Sequence, residues 1–215
     1  TDEDTVELAE RYPFVYGAAG VHPSDTDELD EEKMEWLKAQ CAHPKIVAVG
    51  EIGLDYYWDE PDRGIQKKWF ERQLQLAREV KLPVIIHSRE AAKDTLDIMK
   101  AAHGEELGGV VHCFSYTKEI AKEYLDMDYY FGIGGVVTFQ NGKKLKEVVE
   151  YLPIEKMLLE TDSRYLAPVP YRGKRNSSLY IPLIAEEIAK IKGMDYDEVV
   201  RVTEGNAKSL FGIGE

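Results

Sequence analysis

Cysteine is scarce, two in 215 residues, and Cys41 and Cys113 stand in no C-x-x-C spacing. That excludes a disulfide framework and fits a reducing compartment. Long apolar runs are missing as well. None approaches the roughly 18 residues a membrane span requires, and nothing near the start resembles a signal peptide, so a cytoplasmic protein with no membrane attachment is expected. Positive charge is in deficit: 27 Lys plus Arg against 40 Asp plus Glu give −13. A generally basic surface that grips nucleic acid by charge alone is therefore excluded. No Pro/Gly/Ser-rich linker, repeat or low-complexity tract divides the chain, so 1–215 is expected to form a single domain. The acidic run Asp25 to Glu35 reads as a solvated helix face.

What is present is an alternation of strand and helix patterns. Strands are expected at Phe14–Val21, at Ile46–Val49 with Glu51 at its C-terminal end, and at Pro83–His87, Gly109–His112, Tyr129–Phe139 and Met157–Asp162. Helical spacing marks the stretch through Met34, Trp36 and Leu37, then Asp62–Val80, Ala91–Ala102, the region of Ile120 to Leu125, and the region ending at Val148–Leu152. Ile181–Ile191 and Tyr196–Phe211 close the chain as helices, and Thr1–Arg11 suits the tail of another. The class is α/β with a parallel sheet. A doubly wound sheet would usually advertise G-x-G-x-x-G after its first strand, and that is absent. A TIM-type (β/α) barrel, with active residues on many strand ends, fits better, although six strands are counted rather than eight.

Glu51 is a carboxylate beside a short apolar strand, flanked by Gly50 and Gly53, which allow a turn or a close approach. His87, His112 and Asp162 occupy equivalent strand ends, at steps of 36, 25 and 50 residues from Glu51 onward. A barrel unit takes about 30 residues, so these are steps of one, one and two units. Each histidine alone is better explained as a satisfied rim residue. Two imidazoles and two carboxylates on four strand ends instead form a ligand set for a divalent metal in a hydrolase. A cation would also supply the charge that Glu51 and Asp162 need among apolar strands.

Gly50–Tyr57 (GEIGLDYY), Ile86–Arg89 (IHSR), His112–Ser115 (HCFS), Leu159–Ser163 (LETDS) and Ala167–Asn176 (APVPYRGKRN) resemble, in order, the motifs of the TatD family of metal-dependent deoxyribonucleases. Gly20–Pro23 (GVHP) and Asn206–Phe211 (NAKSLF) fit as well, so the resemblance covers essentially the whole chain. It implies an amidohydrolase-type barrel with two divalent cations, magnesium, manganese or zinc. Glu51 would bridge them, His87 and His112 would complete one site, and Asp162 would bind the other cation and take the proton of the attacking water. The implied substrate is DNA, attacked at ends or in single strands, with no obligate protein partner evident.

Three features depart from that pattern. Family members begin with a strand ending in His-x-His, and this chain has none. The first two strands are therefore expected to be missing from this chain, with edges left at Phe14–Val21 and Met157–Thr161. Arg164 stands where the family usually has proline, and Ser177-Ser178 where a Glu-Pro pair usually follows Arg-Asn. Candidate substrate contacts are Arg89, two residues beyond His87, the basic loop through Arg172 and Arg175, whose guanidinium forks suit phosphate, and His22 at a strand end. Tyr56, Tyr57 and Trp58 could stack a base or simply pack. Two other readings stay open: hydrolysis of a C–N or ester bond in a small molecule, and a non-catalytic metal-binding remnant.

Overall fold

A run of 18 residues, Arg63–Val80, shows how pattern becomes structure here. Gln66, Trp69, Phe70, Gln73, Leu74 and Ala77 recur at steps of three and four and are all buried, so the segment forms one amphipathic helix. Asp62 caps its first turn by accepting from the Gly64 N–H at 2.8 Å. Lys81, in the left-handed region at φ 58°, ends it.

The computed structural model describes residues 2–58 and 60–214, so Thr1 of the expected first helix lies outside them. In chain order the elements are α1 (Asp2–Arg11), β1 (Gly17–Ala19), α2 (Glu31–Cys41), β2 (Ile46–Asp55), α3 (Arg63–Val80), β3 (Val84–Arg89), α4 (Ala92–Ala101) and β4 (Gly109–Val111). There follow α5 (Lys118–Asp126), β5 (Tyr130–Ile133), α6 (Lys143–Tyr151), β6 (Met157–Leu159), α7 (Ile181–Lys192) and α8 (Tyr196–Phe211). Strand order follows chain order, β1 to β6. The pairings β1 with β2, β2 with β3 and β5 with β6 are parallel. No helix among the described residues is long and apolar enough to cross a membrane.

The chain divides into two compact units, Thr1–Val110 and Val111–Glu215. In the first, Ile52, Leu54, Leu74, Leu76 and Ile86 are 0–1% exposed; each such side chain contributes about 1.5–3 kcal/mol by leaving water. In the second, Phe131, Ile133, Val148, Val149, Ile184 and Ile188 form the core. Asn206 of α8 pins the start of β6, donating from Nδ2 to the carbonyls of Ile154 and Met157, each at 2.8 Å.

Several strand limits differ from expectation. The stretch Tyr129–Phe139 holds only a four-residue strand. After Gly134 the chain winds into a 3-10 turn, Gly135–Thr138, closed by the Thr138 hydroxyl donating to the Gly135 carbonyl at 2.7 Å. Val137 and Phe139 are buried all the same, so the apolar run there signals burial rather than extension. Strand β2 is longer than expected, and Glu51 lies inside it rather than at its end. Strands β4 and β6 stop at Val111 and Leu159, which leaves His112 and Asp162 in the segments that follow.

Candidate metal centre

In the first unit the decisive local feature is an irregularity in β2. Gly50 pairs with Ile85 and Ile52 with Ile86, so Glu51 is the extra residue of a bulge. Bulges re-aim a side chain, and this one takes Glu51 out of the regular alternation. Two residues on, Gly53 pairs with His87 at φ 147°, and a Cβ there would overlap the His87 carbonyl. Glycine is what lets the two strands approach so closely.

The His87 ring lies between two carboxylates of β2. Nε2 is 2.9 Å from Asp55 Oδ2, and Nδ1 is 3.9 Å from Glu51 Oε2. A carboxylate only accepts, so Nε2 carries the proton and donates it to Asp55; Nδ1 then presents its lone pair on the Glu51 side. Asp55 is 5% exposed, and its Oδ1 accepts the Tyr57 N–H at 3.0 Å. Burial holds the His87 pKa below the usual imidazole range, and the nearby His22 lowers it further, against the opposing pull of Asp55 and Glu51. The neutral ring that results is the form a metal ligand needs.

The second unit repeats the arrangement with other residues. His112 Nδ1 is 2.9 Å from Glu160 Oε2, and Nε2 is 3.9 Å from Asp162 Oδ1. Glu160 Oε1 accepts the Cys113 N–H at 2.6 Å. A Cβ on Gly132 of β5 would overlap the Glu160 carboxylate, so the bare glycine makes the space it occupies. Asp162 sits in the left-handed region at φ 54°, a conformation that aspartate tolerates better than most residues. Asn176 steadies the loop around it. It is 4% exposed and donates from Nδ2 to the carbonyls of Thr161 and Tyr165, each at 2.7 Å.

Both 3.9 Å separations exceed a hydrogen bond. They leave room for a cation beside each imidazole, since atoms about 2.1 Å from a metal stand roughly 3 to 4 Å apart. An imidazole nitrogen beside a carboxylate oxygen suits zinc, manganese or magnesium to differing degrees, and the carboxylate behind each ring is the usual support for a ligating histidine. The donor set in each unit therefore fits a divalent metal.

The expected substrate contacts fall in three places. His22 caps the 3-10 turn Pro23–Glu28; its Nδ1 is 2.7 Å from Ser24 Oγ, and its ring meets that of His87 edge-on at 4.4 Å. Arg89 ends β3, with its guanidinium 3.7 Å over the Tyr57 ring. Arg172, over Phe139 at 4.2 Å, shares a cavity of about 550 Å³ with Arg164, Lys174 and Arg175. The sequence reading did not anticipate Arg164 there.

Other functional residues also escaped it. Asp55 and Glu160 lie inside the motifs quoted above, yet only their partners show what they do. Gln66 and Gln73 are wholly buried on one face of α3, seven residues apart. Gln66 accepts the Asp55 N–H and donates to the Asp55 carbonyl, both at 2.9 Å. Gln73 accepts the Val21 N–H at 2.7 Å and donates to the Val21 carbonyl at 3.1 Å, beside His22. The available signal was two amides in an otherwise apolar stripe.

Comparison with known proteins places these features in a lineage. The family model described as TatD related DNase matches residues 1–212. The chain is 47% identical over 208 residues to the uncharacterized metal-dependent hydrolase YabD of Bacillus subtilis, covering 97% of this chain and 82% of that protein. It is 37% identical to the 3'-5' ssDNA/RNA exonuclease TatD of Citrobacter rodentium, over 96% of this chain and 80% of that one. Among solved structures, YjjV, a TatD homolog from Escherichia coli K12, superposes with a TM-score of 0.93 at 30% identity, over 99% of this chain and 82% of that one. An uncharacterized amidohydrolase from Saccharomyces cerevisiae, at 17% identity and TM-score 0.79, shares the fold, covering 97% of this chain and 84% of that one. The fold class is thus the α/β fold of these TatD structures, TIM-type in its parallel strands and intervening helices, of which six strands are described here.

Proposed function

This chain belongs to the TatD related DNase family of metal-dependent hydrolases, and on that premise we propose that it cleaves phosphodiester bonds in DNA, working exonucleolytically on ends or single strands. The observation that carries the reading is the repeated geometry of the histidines. In each unit one ring nitrogen is held by a carboxylate at 2.9 Å while the other stands 3.9 Å from a second carboxylate.

Glu51, His87, His112 and Asp162 are the proposed ligands of two divalent cations, magnesium, manganese or zinc. Such cations, when bound, make water acidic enough to attack at neutral pH and neutralise charge on the phosphoryl group. Asp162, whose Oδ1 stands 3.9 Å from His112 Nε2, would hold a cation and would accept the proton of the attacking water at its carboxylate. Asp55 and Glu160 keep the two imidazoles in the tautomers that ligation needs. Arg89, and separately the cavity holding Arg172 and Arg175, supply guanidinium forks suited to backbone phosphates of the substrate. The net charge of −13 makes this local cationic lining necessary, because the surface as a whole repels a polyanion.

The test is cleavage of a single-stranded oligonucleotide by protein stripped with chelator and then reloaded with manganese. Activity should vanish on stripping, return on reloading, and fall by at least a hundredfold in Asp162→Asn. Cleavage that survives the chelator, or full activity in that variant, would remove the basis of the reading. The other hydrolytic reading has less behind it: Arg164, Arg172, Lys174 and Arg175 line one cavity, and four cationic side chains favour a phosphate over a neutral amide.

A further inference from the structure

Three aromatic residues follow β2 directly, and they have separate fates. Tyr56 is 8% exposed, donates its hydroxyl to Asp94 Oδ2 at 2.7 Å and carries Arg63 over its ring at 4.2 Å. It packs. Tyr57 is 47% exposed and Trp58 69% exposed, with rings edge to face at 4.8 Å. The Arg89 guanidinium lies 3.7 Å over Tyr57. Two large aromatic side chains thus keep about half or more of their surface in water, with a cation on one face of Tyr57.

From this arrangement we propose that Tyr57, Trp58 and Arg89 form a stacking platform for one nucleobase of a single-stranded substrate, with the guanidinium on the adjoining phosphate. The inference rests on the phosphodiesterase reading and adds what that reading leaves open, a site that senses the base. The backbone ties the platform to the candidate metal ligands. Asp55 pairs with Arg89 in register, the Tyr56 N–H bonds the Arg89 carbonyl at 3.0 Å, and the Tyr57 N–H bonds Asp55 Oδ1 at 3.0 Å. Arg89 lies two residues beyond His87, about 7 Å along the strand, a distance that one nucleotide spans. Every base has a π face, so a platform of this kind favours unpaired over paired strands without reading sequence. The cation over Tyr57 also holds that ring in place.

The experiment compares a labelled five-residue oligothymidylate with an abasic strand of the same length. Binding is followed by anisotropy after rapid mixing with the manganese-loaded protein. Wild type should bind the base-bearing strand about tenfold or more tighter. Trp58→Ala and Tyr57→Ala should each erase most of that difference while leaving abasic affinity in place, and Trp58→Phe should restore it. Equal binding of the two strands by wild type, or an equal loss on both strands in Trp58→Ala, overturns the platform. If wild type prefers bases yet never cleaves the oligothymidylate, the phosphodiesterase reading falls and the platform stands; cleavage without base preference gives the reverse.

Discussion

Glu160 holds the His112 ring through Nδ1 at 2.9 Å while its other oxygen takes the Cys113 N–H at 2.6 Å, so one carboxylate fixes both the imidazole and the backbone that bears it. The carboxylate needs both oxygens as acceptors, which glutamine cannot supply. In Glu160→Gln the amide oxygen keeps the Cys113 N–H, and the NH₂ group faces Nδ1. Nδ1 must then accept, and the ring proton moves to Nε2, the nitrogen on the Asp162 side. Metal affinity should drop by about 10- to 100-fold with the fold retained. Competition against a fluorescent chelator would measure this, and unchanged affinity would deny Glu160 its positioning role.

Gly53 is expected to be intolerant of any side chain. Its φ of 147° is closed to L residues, and a Cβ would overlap the His87 carbonyl. Gly53→Ala should therefore cost about 2–4 kcal/mol. Gly108→Ala is the control: φ there is 69° and nothing lies within 4 Å, so only the left-handed penalty of about 1–2 kcal/mol remains. Urea unfolding of the pair would show equal losses if crowding against His87 were unimportant.

Tyr56 and Asp94 give a pH-dependent prediction. Hydrogen bonds from Lys67 and then Tyr56 hold the Asp94 carboxyl below its usual value, while burial and the bond to Asp94 push the Tyr56 hydroxyl up. A depressed carboxyl stabilises the fold above its unfolded pKa of about 3.9, and the contribution is lost as pH falls through the lower folded value. Tyr56→Phe should thus cost about 1 kcal/mol at neutral pH. The gap to wild type should close below about pH 4 as Asp94 protonates. Thermal melts across pH 3 to 7 would check the trend, and a gap constant over that range would contradict it.

Much of the fold was legible because periodicity is a local property. The expected helix Tyr196–Phe211 matches α8 exactly, and Asp62–Val80 differs from α3 only in counting the capping residue. The stretch Tyr129–Phe139 misled for the same reason: an apolar run reports burial, and burial is compatible with the 3-10 turn Gly135–Thr138. Glu51 was expected to close a four-residue strand, whereas the bulge lets β2 continue through Ile52 and Leu54 to Asp55. Bulges depend on the neighbouring strand, which no window of sequence contains.

The sequence by itself determined the alternation of strands and helices, the shortage of positive charge, and which histidines and acids could serve a cation. Only the tertiary structure decided which acid stands behind which imidazole. Asp55 reaches His87 across 32 residues, and Glu160 reaches His112 across 48. Side-chain pairs that far apart are set by strand register and by where glycine leaves room. The same strand ends could have met other partners had Gly53 or Gly132 carried a side chain.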